Sequence, residues 1–251
     1  MNIRGSRILI TGGASGIGLE CAMHFSSMGA RVSIVDNDRD AIENLSSDFL
    51  GRLSNRVLYC DVGDSTEVEA MTAAVFDQYG GLDVVINNAA ILRDQTLVSR
   101  LGKRVKKHSL DDWNATLSSN LTGTFLVARE IAARWLAERC GGVIVNTSSV
   151  VRTGNPGQSA YSATKAAVDA LTVTWSQELA PYKIRVAAIA YGFAETGMTR
   201  KIPPMFLDQI RSKSVAGRFG TVTEFAQGVQ FLLENDYFVG KTLELDGGLR
   251  F

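Results

Sequence analysis

Short apolar runs alternate with longer amphipathic segments along most of this 251-residue chain. The short runs have the length of buried strands, and the longer segments carry apolar residues at helical spacing. We predict strands at residues 7–11, 31–35, 56–60, 82–86, 143–147, 184–190 and 241–245, and helices at 19–28, 39–50, 66–79, 111–138 and 158–180. Because strands that alternate with helices lie parallel in one sheet, the pattern predicts an α/β fold: a doubly wound parallel sheet with helices on both faces.

No linker interrupts the alternation, so we predict a single domain over residues 1–251. Two segments depart from the pattern. One is a basic insertion at about residues 92–110, which contains Arg93, Arg100, Lys103, Arg104, Lys106, Lys107 and His108. It is suited to an anionic carrier or a nucleotide-bearing thioester, and the alternative is a solvated hairpin, which charge runs usually form. The other, about residues 192–219, follows the sixth strand and is amphipathic over 205–210, which suggests a mobile lid that selects the substrate.

Charge and composition narrow the class of protein. Basic and acidic residues number 26 each, so neither nucleic acid nor a membrane surface is indicated as a partner. No apolar run reaches the length of about 18 residues that a membrane-spanning helix needs. The N-terminus leads straight into a strand, and we therefore expect a cytoplasmic protein. The three scattered cysteines and two histidines offer no metal-ligand spacing, so we predict no metal site.

A glycine-rich turn joins the first strand to the first helix. It runs from Thr11 to Gly18, and its candidate cofactor-binding residues are Gly12, Ser15, Gly16, Ile17 and Gly18. Glycines let the backbone approach a pyrophosphate, and the helix N-terminus presents free N–H groups to the anion. A strand, a glycine-rich turn and a helix together predict a Rossmann-type dinucleotide site.

Asp36 stands at the end of the second strand. A carboxylate there accepts hydrogen bonds from the adenosine ribose hydroxyls and repels a 2′-phosphate. We therefore predict NAD (NADH) as the cofactor and regard NADP as less favoured, although Arg39 nearby could soften the preference.

Tyr161 and Lys165 are four residues apart in a predicted helix and therefore share one face of it. A free phenol titrates near pH ~10, and an adjacent ammonium is expected to lower that pKa. The pair is then suited to general acid/base catalysis. Taken alone, the spacing fits an ordinary helix equally well, and the other motifs decide between the two interpretations.

The motifs together resemble those of the short-chain dehydrogenase/reductase family over essentially the whole chain. They are Thr11–Gly18, Asp61–Val62, Asn87–Ala89, Asn120, Ser149 and the Tyr161-x-x-x-Lys165 pair. The C-terminal pattern and the longer segment before Trp113 are most similar to 3-oxoacyl-thioester reductases and NAD-dependent type II 3-hydroxyacyl-CoA dehydrogenases.

The resemblance implies a role for each matching residue. Tyr161 would be the general acid/base, and Lys165 would bind the nicotinamide ribose and lower the pKa of Tyr161. Ser149 would bind the reacting oxygen, and Asn120 would anchor a relay water. The implied cofactor contacts are Asp61, Val62, Asn88, Ala89, Gly192 and Thr196, together with Tyr161 and Lys165. The resemblance also implies a homotetramer built partly by helices 111–138 and 158–180.

Three positions need comment within this resemblance. The family's usual spacing favours Ser148 as the catalytic serine, whereas the strand-end pattern Val145–Val150 favours Ser149, which we choose. Ala90 stands where the family usually has glycine. Tyr191 replaces the usual proline after the sixth strand, and we predict that it lines the substrate site with Ser149 and Tyr161.

We therefore predict hydride transfer between NAD(H) and a secondary alcohol or ketone. The favoured substrate is a 3-hydroxyacyl/3-oxoacyl thioester, such as one carried by CoA or a carrier protein, or a similar β-keto compound. One alternative is a dedicated alcohol dehydrogenase or ketoreductase of small-molecule biosynthesis, and another is a non-catalytic NAD(H)-binding sensor or scaffold. Acyl length, direction and stereochemistry do not follow from the sequence.

Overall fold

A computed structural model describes residues 1–45, 51, 56–194 and 204–249. Its nine strands, within that part of the chain, are β1 (Arg7–Thr11), β2 (Arg31–Asp36), β3 (Arg56–Tyr59), β4 (Val84–Asn87), β5 (Val98–Leu101), β6 (Arg104–Lys107), β7 (Gly142–Ser149), β8 (Ile184–Tyr191) and β9 (Thr242–Leu245). Seven of these strands form one parallel sheet in the order β3-β2-β1-β4-β7-β8-β9, and β5 and β6 form a separate pair.

The described helices are α1 (Gly16–Ser27), α2 (Arg39–Glu43), α3 (Ser65–Tyr79), α4 (Leu110–Leu117), α5 (Gly123–Ala137), α6 (Ser159–Glu178), α7 (Pro204–Lys213) and α8 (Val222–Glu234). Several begin at side-chain caps that satisfy otherwise free amides. Asp64 accepts from Thr66 N at 2.8 Å, and Thr221 forms a reciprocal capping box with Glu224.

Two hydrophobic layers enclose the sheet. One places Phe25 of α1 and Phe225 of α8 against Ile34 and Ile189. On the opposite face, Trp135 of α5 packs among residues of α3, α5, α6 and the sheet. The strands are apolar on both faces because both faces are covered. The predicted doubly wound parallel sheet is confirmed.

The sheet order reverses direction between β1 and β4. From β1 the chain proceeds outward to β2 and β3, and it then returns to place β4 on the other side of β1. At such a switch point the loops leaving neighbouring strands diverge, and a crevice opens at the carboxyl ends of the strands. The predicted cofactor residues follow β1, β2, β3 and β4, so the topology brings them to this edge.

Three segments differ from the predicted elements. The helix predicted at 111–138 consists of α4 and α5 joined by a π-helical turn, Ser118–Thr122. The basic insertion contains the hairpin β5–β6. A solvated hairpin was the alternative to a binding segment in the sequence analysis. Of the helix predicted at 39–50, α2 accounts for residues 39–43, and residues 46–50 lie outside the described range.

Part of the predicted lid is described. Helix α7 covers its amphipathic stretch, and Ile210 packs against a small apolar cluster near Tyr161. Residues 195–203 lie outside the described range, as does the predicted cofactor contact Thr196. Over the parts of the chain that the structure describes, none of the helices is long and apolar enough to cross a membrane.

Candidate active site

The glycine-rich turn meets the loop that follows β4. A Cβ on Gly12 would lie 2.8 Å from Ala89 Cα, and one on Gly18 would lie 2.1 Å from the carbonyl oxygen of Gly12. Only glycine permits both approaches, because any larger residue would separate the loop from the helix. The turn therefore presents the first amides of α1, which lack intrahelical acceptors, to the crevice.

Asn88 holds this turn in place. Its Nδ2 donates to the carbonyl oxygens of Thr11 and Gly12 at 3.2 and 3.1 Å. In return, the Thr11 hydroxyl accepts from the amides of Asn88 and Ala89 at 3.0 and 3.1 Å. The loops after β1 and β4 are thus tied together at the switch point, where a dinucleotide would lie.

Asp36 is half-buried at the edge of the same turn. One carboxylate oxygen accepts from Ala14 N at 3.0 Å, and the other accepts from Asp38 N at 3.1 Å. The carboxylate is therefore oriented by backbone amides. Arg39, which was expected to soften the cofactor preference, stacks on the ring of Tyr59, with 3.9 Å from Cζ to the ring centroid.

The turn after β3 packs on the π-helical turn. Asp61 accepts from Gly63 N at 2.9 Å, and Val62 is 6% exposed and belongs to the core. A Cβ on Gly123 would lie 2.6 Å from Val62 Cγ2, so α5 begins in direct contact with this turn. The observed burial of Val62 leaves little of its side chain exposed for the predicted contact with the cofactor.

Asn120 lies in the π-helical turn and is fully buried. Its Oδ1 accepts from Ile91 N at 2.8 Å, and its Nδ2 donates to the Ile91 carbonyl at 3.0 Å. Both polar atoms of the amide therefore hold the loop after β4. This is a positioning role, and a part for Asn120 in a water relay stays a prediction. Single π turns inside α-helices are frequent at functional sites.

The two adjacent serines at the end of β7 have different surroundings. The Ser148 hydroxyl is buried against α6 and donates to the Lys165 carbonyl at 3.3 Å. The Ser149 hydroxyl instead accepts from Val151 N at 3.3 Å and lies close enough to the Tyr161 phenol to lower its pKa. Successive strand residues point to opposite faces, and of the two serines it is therefore Ser149 that the structure places beside Tyr161.

Lys165 lies beneath Tyr161 and is 2% exposed. Its Nζ donates to the Thr147 carbonyl at 2.8 Å and lies 5.5 Å from the centroid of the Tyr161 ring. Burial lowers the pKa of Lys165 to about 8, and the charge of Asp169 opposes that shift. The ammonium is held by one carbonyl and has remaining N–H groups for a ribose.

The pKa of Tyr161 moves opposite to the direction predicted from the sequence. Burial raises it to about 12, the neighbouring Ser149 hydroxyl partly offsets the rise, and the charge of Asp94 adds to it. The prediction considered only the neighbouring ammonium, whereas the surrounding protein penalises the phenolate more strongly. The phenol is consequently protonated at neutral pH and available as a proton donor.

Sequence reasoning missed three charged residues beside the site. Asp94, whose pKa is raised by burial, accepts from Gln158 Nε2 at 2.8 Å. Arg152 donates to the Ser149 carbonyl at 3.2 Å and forms an ion pair with Asp169 at 2.7 Å. Asp169 follows Lys165 by one helical turn, a spacing that could have drawn attention to it, but nothing in the sequence pairs it with Arg152.

Apolar side chains form a wall near the phenol. Val150, Val151 and Leu249 are buried there, and Tyr161, Phe193 and Ile210 pack against them. Five separate parts of the chain build this wall, and it is suited to an acyl or other hydrocarbon substituent.

Tyr191 does not contribute to that wall. It is 5% exposed, and its ring lies 4.5 Å from that of Phe225 in the core. Its position thus favours a structural role over the substrate contact predicted for it. Gly192 follows and donates to the Leu245 carbonyl at 3.0 Å, which ties the turn after β8 to the end of β9.

A cavity of about 450 Å³ lies beyond that turn, between α8 and β9. Gly192 and Phe193 contribute to its lining, whereas Ser149, Tyr161 and Lys165 do not. The chemistry-bearing side chains therefore identify the candidate site better than the size of a cavity does. Over the described residues, no group of three or more His, Cys, Asp or Glu side chains is arranged to hold a metal ion.

Comparisons with known proteins agree with this geometry. A family model described as enoyl-(acyl carrier protein) reductase matches residues 12–250. The 3-oxoacyl-[acyl-carrier-protein] reductase FabG of Thermotoga maritima is 39% identical over 255 residues and 99% of each chain. That of Salmonella typhimurium is 32% identical over 99% of each chain, and that of Staphylococcus aureus 34% over 96% of each.

A solved structure of NAD⁺-bound xylitol dehydrogenase superposes with a TM-score of 0.89 at 28% identity, covering 99% of this chain and 100% of that one. Fold and site thus define an oxidoreductase that acts on alcohol or keto groups with a pyridine nucleotide. The chain belongs to the short-chain dehydrogenase/reductase family.

Proposed function

We propose that the protein interconverts a 3-hydroxyacyl and a 3-oxoacyl thioester, or a similar β-keto compound, with NAD(H). The observation that carries the proposal is the placement of the Ser149 hydroxyl beside the Tyr161 phenol, above the buried Lys165 and next to an apolar wall. The relatives that share the whole length of the chain are named as reductases of 3-oxoacyl groups on acyl carrier protein.

The chain's own groups account for the proton transfer. In reduction, the hydroxyls of Ser149 and Tyr161 donate hydrogen bonds to the substrate carbonyl, and Tyr161 then gives up its proton to the developing alkoxide. The Lys165 ammonium stabilises the resulting phenolate, and Ser149 keeps the phenol oriented. In oxidation the same atoms work in reverse. A bound nicotinamide supplies or accepts the hydride.

The residues at the switch point suit a dinucleotide. The first amides of α1 face the crevice for the pyrophosphate, and Asp36 carries an oriented carboxylate for ribose hydroxyls. We propose NAD(H) as the preferred cofactor because a 2′-phosphate would meet the negative charge of Asp36. The superposable xylitol dehydrogenase was solved with NAD⁺ bound.

The first experiment follows absorbance of the reduced nicotinamide with acetoacetyl-CoA, once with NADH and once with NADPH. Rapid oxidation of NADH upholds both the thioester substrate and the role of Asp36. Turnover with NADPH alone contradicts the assigned cofactor. A parallel assay with crotonyl-CoA separates carbonyl reduction from the double-bond reduction named in the matching family's description.

A dedicated alcohol dehydrogenase or ketoreductase is the second candidate function. It is favoured by the structural similarity to a xylitol dehydrogenase, whose substrate is a polyol rather than a thioester. Oxidation of polyols with NAD⁺, without reduction of acetoacetyl-CoA, would select this candidate. A non-catalytic sensor or scaffold is disfavoured by the intact Asn120, Ser149, Tyr161 and Lys165, and binding of NADH without turnover on any of these substrates would select it.

We propose a homotetramer in the cytoplasm. Three large apolar residues are exposed on α5 and α6, the helices expected to pair between subunits: Phe125 (42%), Leu136 (37%) and Val173 (45%). Exposed apolar side chains on neighbouring helices are typical of surfaces that become covered on association. Light scattering should give a mass about four times the 27.1 kDa of one chain, and a monomeric mass would contradict the proposal.

A further inference from the structure

The hairpin β5–β6 concentrates positive charge on an exposed element. Its strands pair antiparallel from Val98–Lys107 to Leu101–Arg104, and Gly102 adopts a left-handed φ of 61° in the tight turn. All eight strand residues are exposed. Five cations lie here, and no acidic residue occurs between positions 95 and 110: Arg100, Lys103, Arg104, Lys106 and Lys107.

Apolar side chains are interleaved with these charges and are equally exposed. Leu97 is 72% exposed, Leu101 86% and Val105 65%. An isolated two-stranded hairpin is marginally stable in water at best, and these side chains bury little against the rest of the chain. A partner that covered them would gain both apolar contact and neutralisation of charge.

The stem of the hairpin is attached to the rim of the candidate active site. Gln95 donates to Asp112 and accepts from Ser109 N at 3.1 Å, which anchors the stem to the start of α4. On its other side, Asp94 accepts from Gln158 at the start of the helix that carries Tyr161. A molecule bound to the hairpin would therefore lie beside the entrance to the site.

The charge pattern favours one kind of occupant. A second copy of the hairpin would bring five more cations into contact, and like charges repel. A single phosphate group could contact only some of the five cations. In this register Arg100 and Lys107 share one face, Arg104 and Lys106 share the other, and each strand extends about 10 Å. A protein surface with several carboxylates among apolar side chains matches both the extent and the mixed character of the hairpin.

We propose that the hairpin β5–β6 is the docking surface for an acidic carrier protein that delivers the acyl substrate as a thioester. This inference rests on the proposed function in its choice of substrate. It assigns the carrier's recognition to a surface outside the catalytic residues, so contact with the carrier and catalysis on the acyl group become separable.

The test compares two double variants that each lose two exposed lysines. Lys106→Gln/Lys107→Gln removes one cation from each face of the hairpin, and Lys183→Gln/Lys241→Gln removes two near the opposite edge of the sheet. Each is assayed with acetoacetyl groups on a purified bacterial acyl carrier protein, on CoA and on N-acetylcysteamine. Binding of the carrier protein alone is measured by calorimetry at low and high salt.

For the hairpin variant we expect the KM for the carrier-bound substrate to rise about fivefold or more, with kcat within twofold of the unmodified protein. The N-acetylcysteamine thioester should show no change, and neither should the control variant. The carrier should bind the unmodified protein more weakly as salt increases.

Each other outcome is decisive. Equal effects on the carrier and CoA substrates would assign the hairpin to nucleotide phosphates and overturn the proposal, as would unchanged KM for the carrier-bound substrate. If no thioester is reduced but the carrier binds in a hairpin-dependent way, the proposed function fails and the docking surface stands.

Discussion

The floor of the candidate active site and the hairpin both carry cationic side chains, but in opposite surroundings. The floor, formed by Ser149, Tyr161 and Lys165, has a single cation that is 2% exposed and fixed on a carbonyl. The hairpin β5–β6 has four cations on exposed strands and a fifth, Lys103, in the turn between them. A basic side chain therefore has a pKa shifted by burial in the first region, and is a solvent-screened surface charge in the second.

Burial accounts for this difference. Removing an ammonium from water disfavours its charged form, and the pKa of Lys165 accordingly falls to about 8. Exposed charges keep their hydration and are screened by salt, so they contribute little until a partner excludes water. Effects of substitution should therefore decrease from the floor to the hairpin.

The largest effect is expected for Tyr161→Phe. Loss of the phenolic proton should lower kcat by about 10²–10⁴-fold, the usual contribution of general acid/base catalysis. NADH binding, measured by fluorescence titration, should persist. Tyr182→Phe, at a site that is 51% exposed, is the matched control and should have no effect. Turnover of the Tyr161 variant within tenfold of the unmodified protein would refute the assignment.

The pH dependence of reduction should report Lys165. Its pKa is lowered below that of the unfolded chain, so the ammonium is present below about pH 8 and is lost as the pH rises through that value. Because the cation stabilises the phenolate, kcat/KM for reduction should fall above about pH 8. The groups that face Lys165 are Tyr161, Asp169 and the Thr147 carbonyl, and Asp169 is paired with Arg152.

Asp169→Asn should move this alkaline limb to lower pH, since the charge of Asp169 raises the pKa of Lys165. Oxidation should behave in the opposite way and speed up with pH, because it needs the phenolate of Tyr161, whose pKa is raised to about 12. A reduction rate that is flat from pH 7 to pH 10 would contradict the role of Lys165.

Asp36 is half-buried and should give an intermediate effect. Asp36→Asn removes the charge that opposes a 2′-phosphate and retains an oxygen for the Ala14 amide. The ratio of kcat/KM with NADPH to that with NADH should rise about tenfold, which corresponds to ~1.4 kcal/mol. Asp38→Asn, two residues away at the start of α2, should leave the ratio unchanged. An equal ratio in both variants would show that Asp36 does not select the cofactor.

Arg152→Gln should affect stability more than the rate. Arg152 is 16% exposed and connects Asp169, Glu244 and the Ser149 carbonyl. Its loss leaves a partly buried carboxylate with fewer donors, and the free energy of unfolding should fall by about 1–3 kcal/mol in urea titration. Arg218→Gln removes an exposed pair with Glu224 and should cost clearly less. Equal losses in the free energy of unfolding would mean that burial does not determine how much each ion pair contributes to stability.

The smallest effect on stability is expected for the hairpin. Lys106→Gln/Lys107→Gln should leave the free energy of unfolding within about 0.5 kcal/mol, the usual range for surface substitutions. A larger loss would show that the hairpin contributes to the fold and would weaken the contrast between the two regions.

Strand and helix predictions succeeded where periodicity was strong. The strands of the main sheet lie within two residues of their predicted ends, because apolar runs bounded by turn residues leave little choice of element. The prediction of one continuous helix at 111–138 was wrong in one respect, because a π-helical turn at Ser118–Thr122 divides it into α4 and α5. At that turn Asn120 contacts Ile91, and α5 packs on Val62. Both contacts join segments that are distant in sequence, so local periodicity does not predict the turn.

The sequence by itself determined the order of strands and helices, the glycine-rich turn and the i,i+4 pair of Tyr161 and Lys165, because each follows from local spacing. Only the tertiary structure decided which serine lies beside Tyr161, that Tyr191 is buried in the core, and that Arg152 joins Ser149 to Asp169. It also reversed the expected shift in the pKa of Tyr161. These outcomes depend on desolvation and on contacts across the fold, and neither can be read from the spacing of residues along the chain.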